Sequence, residues 1–132
     1  MYVLAILSAP MLYGVLCVPL TSAFLARFPA HLNALGGTHN PKLVLCVEVM
    51  QLLTLFLCGA AVQWIAGRSK VAHRILVTAT LTMLSIGVAV QYQYWSAMPA
   101  WHHYIFFLLI VAAMPTGALW VRRARPPKRL SN

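Results

Sequence analysis

Residues 42–68, KLVLCVEVMQLLTLFLCGAAVQWIAGR, decide the fold of this chain. About 25 residues between Lys42 and Arg68 carry no basic side chain, which is enough to cross a bilayer as a helix. Within this run lies Glu48, the only acidic residue in the sequence. A carboxylate at mid-membrane costs about 2.5–3.5 kcal/mol, so Glu48 needs a partner, a proton or a water-filled cavity.

The composition of the whole chain places it among membrane proteins. Of its 132 residues, 61% are hydrophobic and only 8% are charged, whereas soluble domains average about 25% charged residues. The net charge of +9 does not indicate nucleic acid as a partner, because the basic residues flank apolar runs. The expected partners are the lipid bilayer and other membrane subunits or further copies of the chain.

Four apolar runs predict an all-α integral membrane protein, an antiparallel bundle of four transmembrane helices. Turn signals at Gly36-Gly37, Asn40-Pro41 and Met98-Pro99 separate some of these runs. The predicted helices cover about 2–26, 43–67, 75–96 and 101–121, and a basic, disordered tail follows at 122–132.

The basic residues are distributed unevenly between the two ends of this predicted bundle. Residues 68–74 hold three of the ten and the tail holds five, which leaves Arg27 and Lys42 for the opposite side. By the positive-inside rule, both termini face the cytoplasm of a bacterium or the matrix of an organelle. The predicted location is therefore a bacterial inner membrane or an organellar membrane.

Polar residues in the second predicted helix lie on one stripe. They follow one another at spacings of three, three and four residues, which places them on a single helix face: Glu48, Gln51, Thr54 and Cys58. This stripe should face protein rather than lipid. Three roles remain open for Glu48: a neutral carboxyl that serves packing by bonding Gln51 or a hydroxyl of the third helix, a partner of a polar or cationic group in another subunit, or a proton- or cation-coupling residue.

Small and hydroxylated residues in the last two predicted helices indicate surfaces for helix contact. Membrane helices use such residues to approach one another closely. The third helix carries Thr78, Thr82 and Ser85, and the fourth carries Ala113 and Gly117. We expect all five to face other helices.

Four histidines are predicted at the outer edge of the bundle: His31, His39, His102 and His103. Imidazole is a ligand for zinc, copper and iron, so these residues are candidate metal ligands together with Glu48. However, no metal-binding spacing such as H-E-x-x-H is present. Ordinary interface residues are the simpler interpretation, and no cofactor is expected.

The sequence contains no nucleophile–base motif, phosphate loop or paired carboxylates. In length and layout it resembles small multidrug transporters, fluoride channels and membrane-bound glutathione-using enzymes, but it has none of their motifs, and layout alone does not imply function. The favoured hypothesis is a non-catalytic accessory or assembly subunit of a larger membrane complex. The alternatives are a small oligomeric proton- or cation-coupled transporter or channel that uses Glu48, and an outer-face metal-handling protein that uses the four histidines.

The charge distribution generates a topology prediction. A reporter that is active only in the cytoplasm or matrix should be active when fused after Asn132 and inactive when fused after Gly36. An export-dependent reporter that is active after Asn132 would overturn the assignment.

Overall fold

Long apolar helices make up nearly all of the described part of the chain, residues 1–124 of a computed structural model. They are α1 (Tyr2–Leu25), α2 (Pro41–Ala66), α3 (Ala72–Gln93) and α4 (Ala100–Ala124). Each is long and apolar enough to cross a membrane, and residues 1–124 contain no strand. The predicted class, an all-helical chain with four helices long and apolar enough to span a membrane, is confirmed for residues 1–124.

The helix boundaries differ from the predicted ones mainly in the second half of the chain. The third helix begins three residues earlier than predicted, and its aromatic end forms a separate 3₁₀ turn at Trp95–Ala97. The fourth helix continues to Ala124, so Arg122 and Arg123 lie in its last turn and not in a tail. The remainder of the predicted tail, 125–132, lies outside the described residues.

Local chemistry sets the two ends of α2. The Asn40 side chain accepts a hydrogen bond from the backbone N–H of Lys42 at 3.1 Å, and Pro41 occupies the first helical position. Both are typical of a helix start. At the other end Gly67 adopts a positive φ of 65° and its N–H bonds to the carbonyl of Gln63, a conformation that favours glycine.

The backbones of α2 and α4 touch near the middle of the bundle. A Cβ atom added to Gly59 would lie 1.9 Å from the carbonyl oxygen of Met114, and one added to Gly117 would lie 2.0 Å from that of Phe56. Ala113 is also buried. Gly117 and Ala113 therefore lie in the contact between α2 and α4, as their spacing predicts. Gly59 belongs to the same contact and was not among the residues predicted for it.

Two of the three hydroxyl residues of α3 do not face another helix within residues 1–124, so their predicted contact stays a prediction for a neighbouring subunit. Thr78 and Ser85 are exposed and Thr82 is half-buried. Their hydroxyls donate to carbonyls four residues earlier in α3, at 2.9–3.0 Å. Serine and threonine can satisfy themselves in this way without a neighbouring helix. The buried face of α3 instead includes Ala79 and Met83.

The two ends of the bundle differ in the residues that they carry. The histidine end holds the connection at residues 26–40 and the one at 94–99. The basic end holds the connection at residues 67–71 together with Arg122 and Arg123. At the basic end Arg68 donates from Nη2 to the carbonyl of Arg122 at 3.2 Å.

The two connections of the histidine end dock on each other. Asn33 donates from Nδ2 to the carbonyl of Ala97 at 2.8 Å, and its Oδ1 accepts from the N–H groups of Leu35 and Gly37 at 3.1 Å each. Gly37 lies so close to Ala97 that an added Cβ would be 2.2 Å from its carbonyl oxygen. This contact fixes the turn before α4, and α4 carries His102 and His103.

The α2–α4 contact generates a stability prediction. Gly117→Ala should lower the free energy of unfolding in detergent by roughly 1–3 kcal/mol, because the new methyl group meets backbone that cannot move aside. Gly14→Ala is the matched control, since no atom lies within 4 Å of a Cβ added there. Equal thermal stability of the two variants would contradict the close contact.

Candidate functional site

The only acidic side chain of the protein is paired inside the bundle. Glu48, about two turns into α2, lies 2.5 Å through Oε1 from Nδ1 of His102, near the start of α4. Glu48 is only 5% exposed and His102 only 3%. The contact joins a carboxyl oxygen to a ring nitrogen at hydrogen-bond distance, with one of the two groups supplying the proton.

The first residues of α2 and α4, both at the histidine end, position Glu48 and His102. α2 begins at Pro41 after the Asn40 cap, which leaves Glu48 about two turns inside the helix. α4 begins at Ala100, and the backbone N–H of His102 bonds to the carbonyl of Pro99 at 3.0 Å. Each group therefore lies near the histidine end on a rigid element, and rigid elements hold side-chain geometry better than loops do.

His103 extends the polar cluster toward α3. Its Nδ1 contacts Oε1 of Gln91, and its Nε2 lies 3.0 Å from the carbonyl oxygen of Trp95. The ring stacks on Trp95 with centroids 4.3 Å apart and an interplanar angle of 15°. Both ring nitrogens of His103 thus have partners within the chain, and the residue links α4 to the end of α3.

The polar stripe of α2 faces the interior of the bundle. Glu48, Gln51, Thr54 and Cys58 are all buried. Thr54 donates to the carbonyl of Met50 at 2.8 Å, and the Cys58 thiol donates to the carbonyl of Ala9 in α1 at 3.3 Å. The hydroxyl of Thr54 and the thiol of Cys58 therefore both have backbone carbonyls as partners.

Two buried oxygen atoms at the top of the stripe have no hydrogen-bond partner among residues 1–124: Oε2 of Glu48 and Oε1 of Gln51. Gln51 also lines a cavity of about 360 Å³ between α1, α2 and α3, together with Tyr13 and Gln91. That volume lies in the range of small-molecule pockets, about 300–1,000 Å³. The carboxyl–imidazole pair can hold a proton, and the free oxygens can accept hydrogen bonds from a small guest.

The four predicted histidines do not come together. His31 and His39 are exposed, whereas His102 and His103 are buried with ring centroids 5.3 Å apart. Within residues 1–124, no group of three or more His, Cys, Asp and Glu side chains is placed to hold a metal ion. His102 and His103 serve the polar cluster instead.

The sequence placed Glu48 and the outer histidines at the same predicted end, but it did not single out His102 as the partner of the carboxyl group. The signal for this pairing was present, because an acid about two turns into the second helix and a His-His pair at the start of the fourth lie at the same predicted end. Spacing alone could not show which helices are neighbours, so Gln51 and a hydroxyl of the third helix were named as partners. The hydroxyls of Thr78, Thr82 and Ser85 bond within their own helix instead.

Comparisons with known proteins give no match. No family model, curated protein or solved structure is similar to this chain at a significant level.

The pair generates a double-mutant prediction. Glu48→Ala and His102→Ala should each lower the free energy of unfolding in detergent by about 1–3 kcal/mol, because each leaves a buried polar partner unsatisfied. The double variant should cost clearly less than the sum of the two single variants. His31→Ala, at an exposed histidine, is the control and should have no effect. Strict additivity of the two single variants would rule out the contact.

Proposed function

We propose that this chain is a non-catalytic accessory or assembly subunit of a larger membrane complex. The observation that carries the proposal is the Glu48–His102 pair. The one intramembrane acid is the residue that a transporter of this size would need for coupling, and here it joins two helices of the same chain. A carboxyl engaged in this way is best suited to fixing the shape of a small helical subunit.

We further propose that the four helices alternate in direction and that both termini face the cytoplasm or matrix. Three contacts between parts of the chain that would lie at the same level of an alternating bundle support this arrangement. Glu48 and His102, each near a helix start, meet at the histidine end, and Arg68 meets Arg122 at the basic end. Cys58, late in α2, meets Ala9, early in α1. With the charge bias, this fits a bacterial inner membrane or an organellar membrane.

The exposed hydroxyl face of α3 is the surface that we assign to a partner subunit. Thr78, Thr82 and Ser85 lie three to four residues apart on one side of the helix, and Thr78 and Ser85 are exposed. Their hydroxyls already donate to carbonyls of their own helix, so no hydroxyl donor on this face is left unsatisfied. Their side chains are also short. Such a face suits close approach by another membrane helix.

A small proton-coupled transporter is the second candidate, and one specific observation favours it. The unpartnered oxygens of Glu48 and Gln51 lie at the top of the polar stripe, and Gln51 and Gln91 line the cavity of about 360 Å³. Intramembrane acids commonly mark proton or ion pathways. The third hypothesis, metal handling by the outer histidines, has no comparable support.

Co-purification tests the subunit proposal. The full chain, isolated in mild detergent from its native membrane, should bring down a stoichiometric set of other proteins, and Thr78→Leu should reduce their yield through overpacking of the contact face. Thr116→Leu is the matched control, since Thr116 is an exposed α4 threonine whose hydroxyl is also bonded to its own helix. A pure homo-oligomer, or equal yields with both variants, would overturn the proposal.

Glu48→Gln separates the two candidates. Glutamine keeps the shape of the side chain and an acceptor oxygen for His102, so a residue that serves packing should tolerate it within about 1 kcal/mol. We expect normal assembly and full activity of the parent complex. Retained assembly with lost activity would favour the coupling role, because the amide offers no titratable proton.

A further inference from the structure

A large groove opens between α3 and α4 at the basic end, away from the Glu48–His102 pair. Its volume is about 1,210 Å³. The walls are apolar, with Leu76 and Leu84 of α3 facing Val111 and Leu119 of α4. On each helix these positions span eight residues, or about 12 Å of helix. This is close to the depth of one leaflet, since the hydrocarbon core of both is about 30 Å thick.

The mouth of this groove is strongly basic. Its lining includes Arg68, Lys70, Arg122 and Arg123, together with His73. No acidic residue balances them, because the only one in the chain, Glu48, is paired with His102 at the opposite end. Within residues 1–124 the mouth therefore concentrates basic side chains directly above an apolar channel.

A buried hydroxyl also lines the mouth. Among residues 1–124, the Oγ atom of Ser69 is buried and has no hydrogen-bond partner, and Ser69 belongs to the groove lining. The Arg68 side chain already bonds to the carbonyl of Arg122, which holds the ends of α2 and α4 together. Lys70 and Arg123 are exposed and can turn toward an anion, while Ser69 can donate to one.

We propose that this groove is a binding site for an anionic phospholipid. Lys70, Arg123 and the Ser69 hydroxyl bind the headgroup phosphate, and one acyl chain lies along the apolar walls between α3 and α4. A basic pocket between membrane helices on the inner side is suited to anionic headgroups. A soluble phosphate would use the mouth alone and leave the apolar walls unoccupied, so the charge and the walls together point to a lipid. The site does not depend on whether the chain is an accessory subunit or a transporter.

Native mass spectrometry of the full chain tests the proposal. The protein is released from mild detergent supplemented with phosphatidylglycerol or with phosphatidylcholine of the same acyl chains, and bound lipid is measured against lipid concentration. Phosphatidylglycerol should bind clearly more tightly. Each basic side chain near a headgroup contributes about fivefold in affinity, so Lys70→Ala/Arg123→Ala should weaken binding roughly 25-fold.

The matched control is Arg27→Ala/Lys42→Ala. It removes the same charge from exposed positions at the histidine end and should leave phosphatidylglycerol binding unchanged. Val77→Trp, at a 44% exposed position in the groove wall, should weaken binding by filling the channel without any change in charge. Thermal unfolding of each variant in lipid-free detergent identifies any variant that has lost its fold.

Three outcomes would overturn the proposal. The first is equal binding of the two lipids. The second is an equal loss of binding in Lys70→Ala/Arg123→Ala and in the control, which would indicate attraction by net charge alone. The third is full competition by soluble glycerophosphoglycerol, which has the headgroup but no acyl chain and would indicate a site for a soluble anion.

Discussion

A carboxyl group inside an apolar helix must find its hydrogen-bond donor within the protein, because the hydrocarbon interior of a bilayer has none to offer. The hydrogen-bond partner of Glu48 is His102, whose Nδ1 lies 2.5 Å from Oε1, and both residues are almost fully buried. Since the two residues lie on α2 and α4, meeting this requirement also fixes which helices are neighbours at the histidine end. The burial of one carboxyl group therefore constrains how α2 and α4 pack.

The α2–α4 pair is joined at three levels by three different kinds of contact. At the histidine end it is the Glu48–His102 hydrogen bond, and at the basic end it is the bond from Arg68 to the carbonyl of Arg122. Between them, Gly59 and Gly117 allow direct backbone contact, which gains dispersion energy where lipid supplies no hydrophobic driving force between helices. α1 and α3 pack beside this pair, and each leaves a cavity: one beside Gln51, and one beneath the basic mouth.

The two cavities differ in the chemistry that surrounds them. The smaller one is bordered by amide side chains and has unpartnered oxygens nearby, so it suits a small hydrogen-bond donor. The larger one combines a basic mouth with apolar walls, so it suits an amphiphile. Close packing of α2 against α4 thus coexists with two cavities of different chemistry along the sides of the bundle.

The four helices could be predicted from the sequence because the hydropathy and length of a run are properties of consecutive residues. The buried stripe on α2 could be predicted because it depends only on spacing within one helix. Gly117 was identifiable because small residues in a membrane helix indicate close contact. Gly59 carries the same signal, but the docking of Asn33 on Ala97 could not be predicted, since it depends on which connections become neighbours. The neighbour of the α3 hydroxyl face could not be identified for a related reason: the Thr78 hydroxyl bonds to its own helix, so its polarity alone does not show which helix it faces.

Solid-state NMR of the protein in lipid bilayers tests the central contact most directly. Because Glu48 is the only acidic residue, labelling glutamate with ¹³C gives a single side-chain carboxyl signal, and labelling histidine with ¹⁵N supplies the partner. We predict a strong dipolar coupling between the Glu48 carboxyl carbon and an imidazole nitrogen, which disappears in His102→Asn and persists in His31→Asn. Absence of this coupling in the unsubstituted protein, or its survival in His102→Asn, would contradict the account.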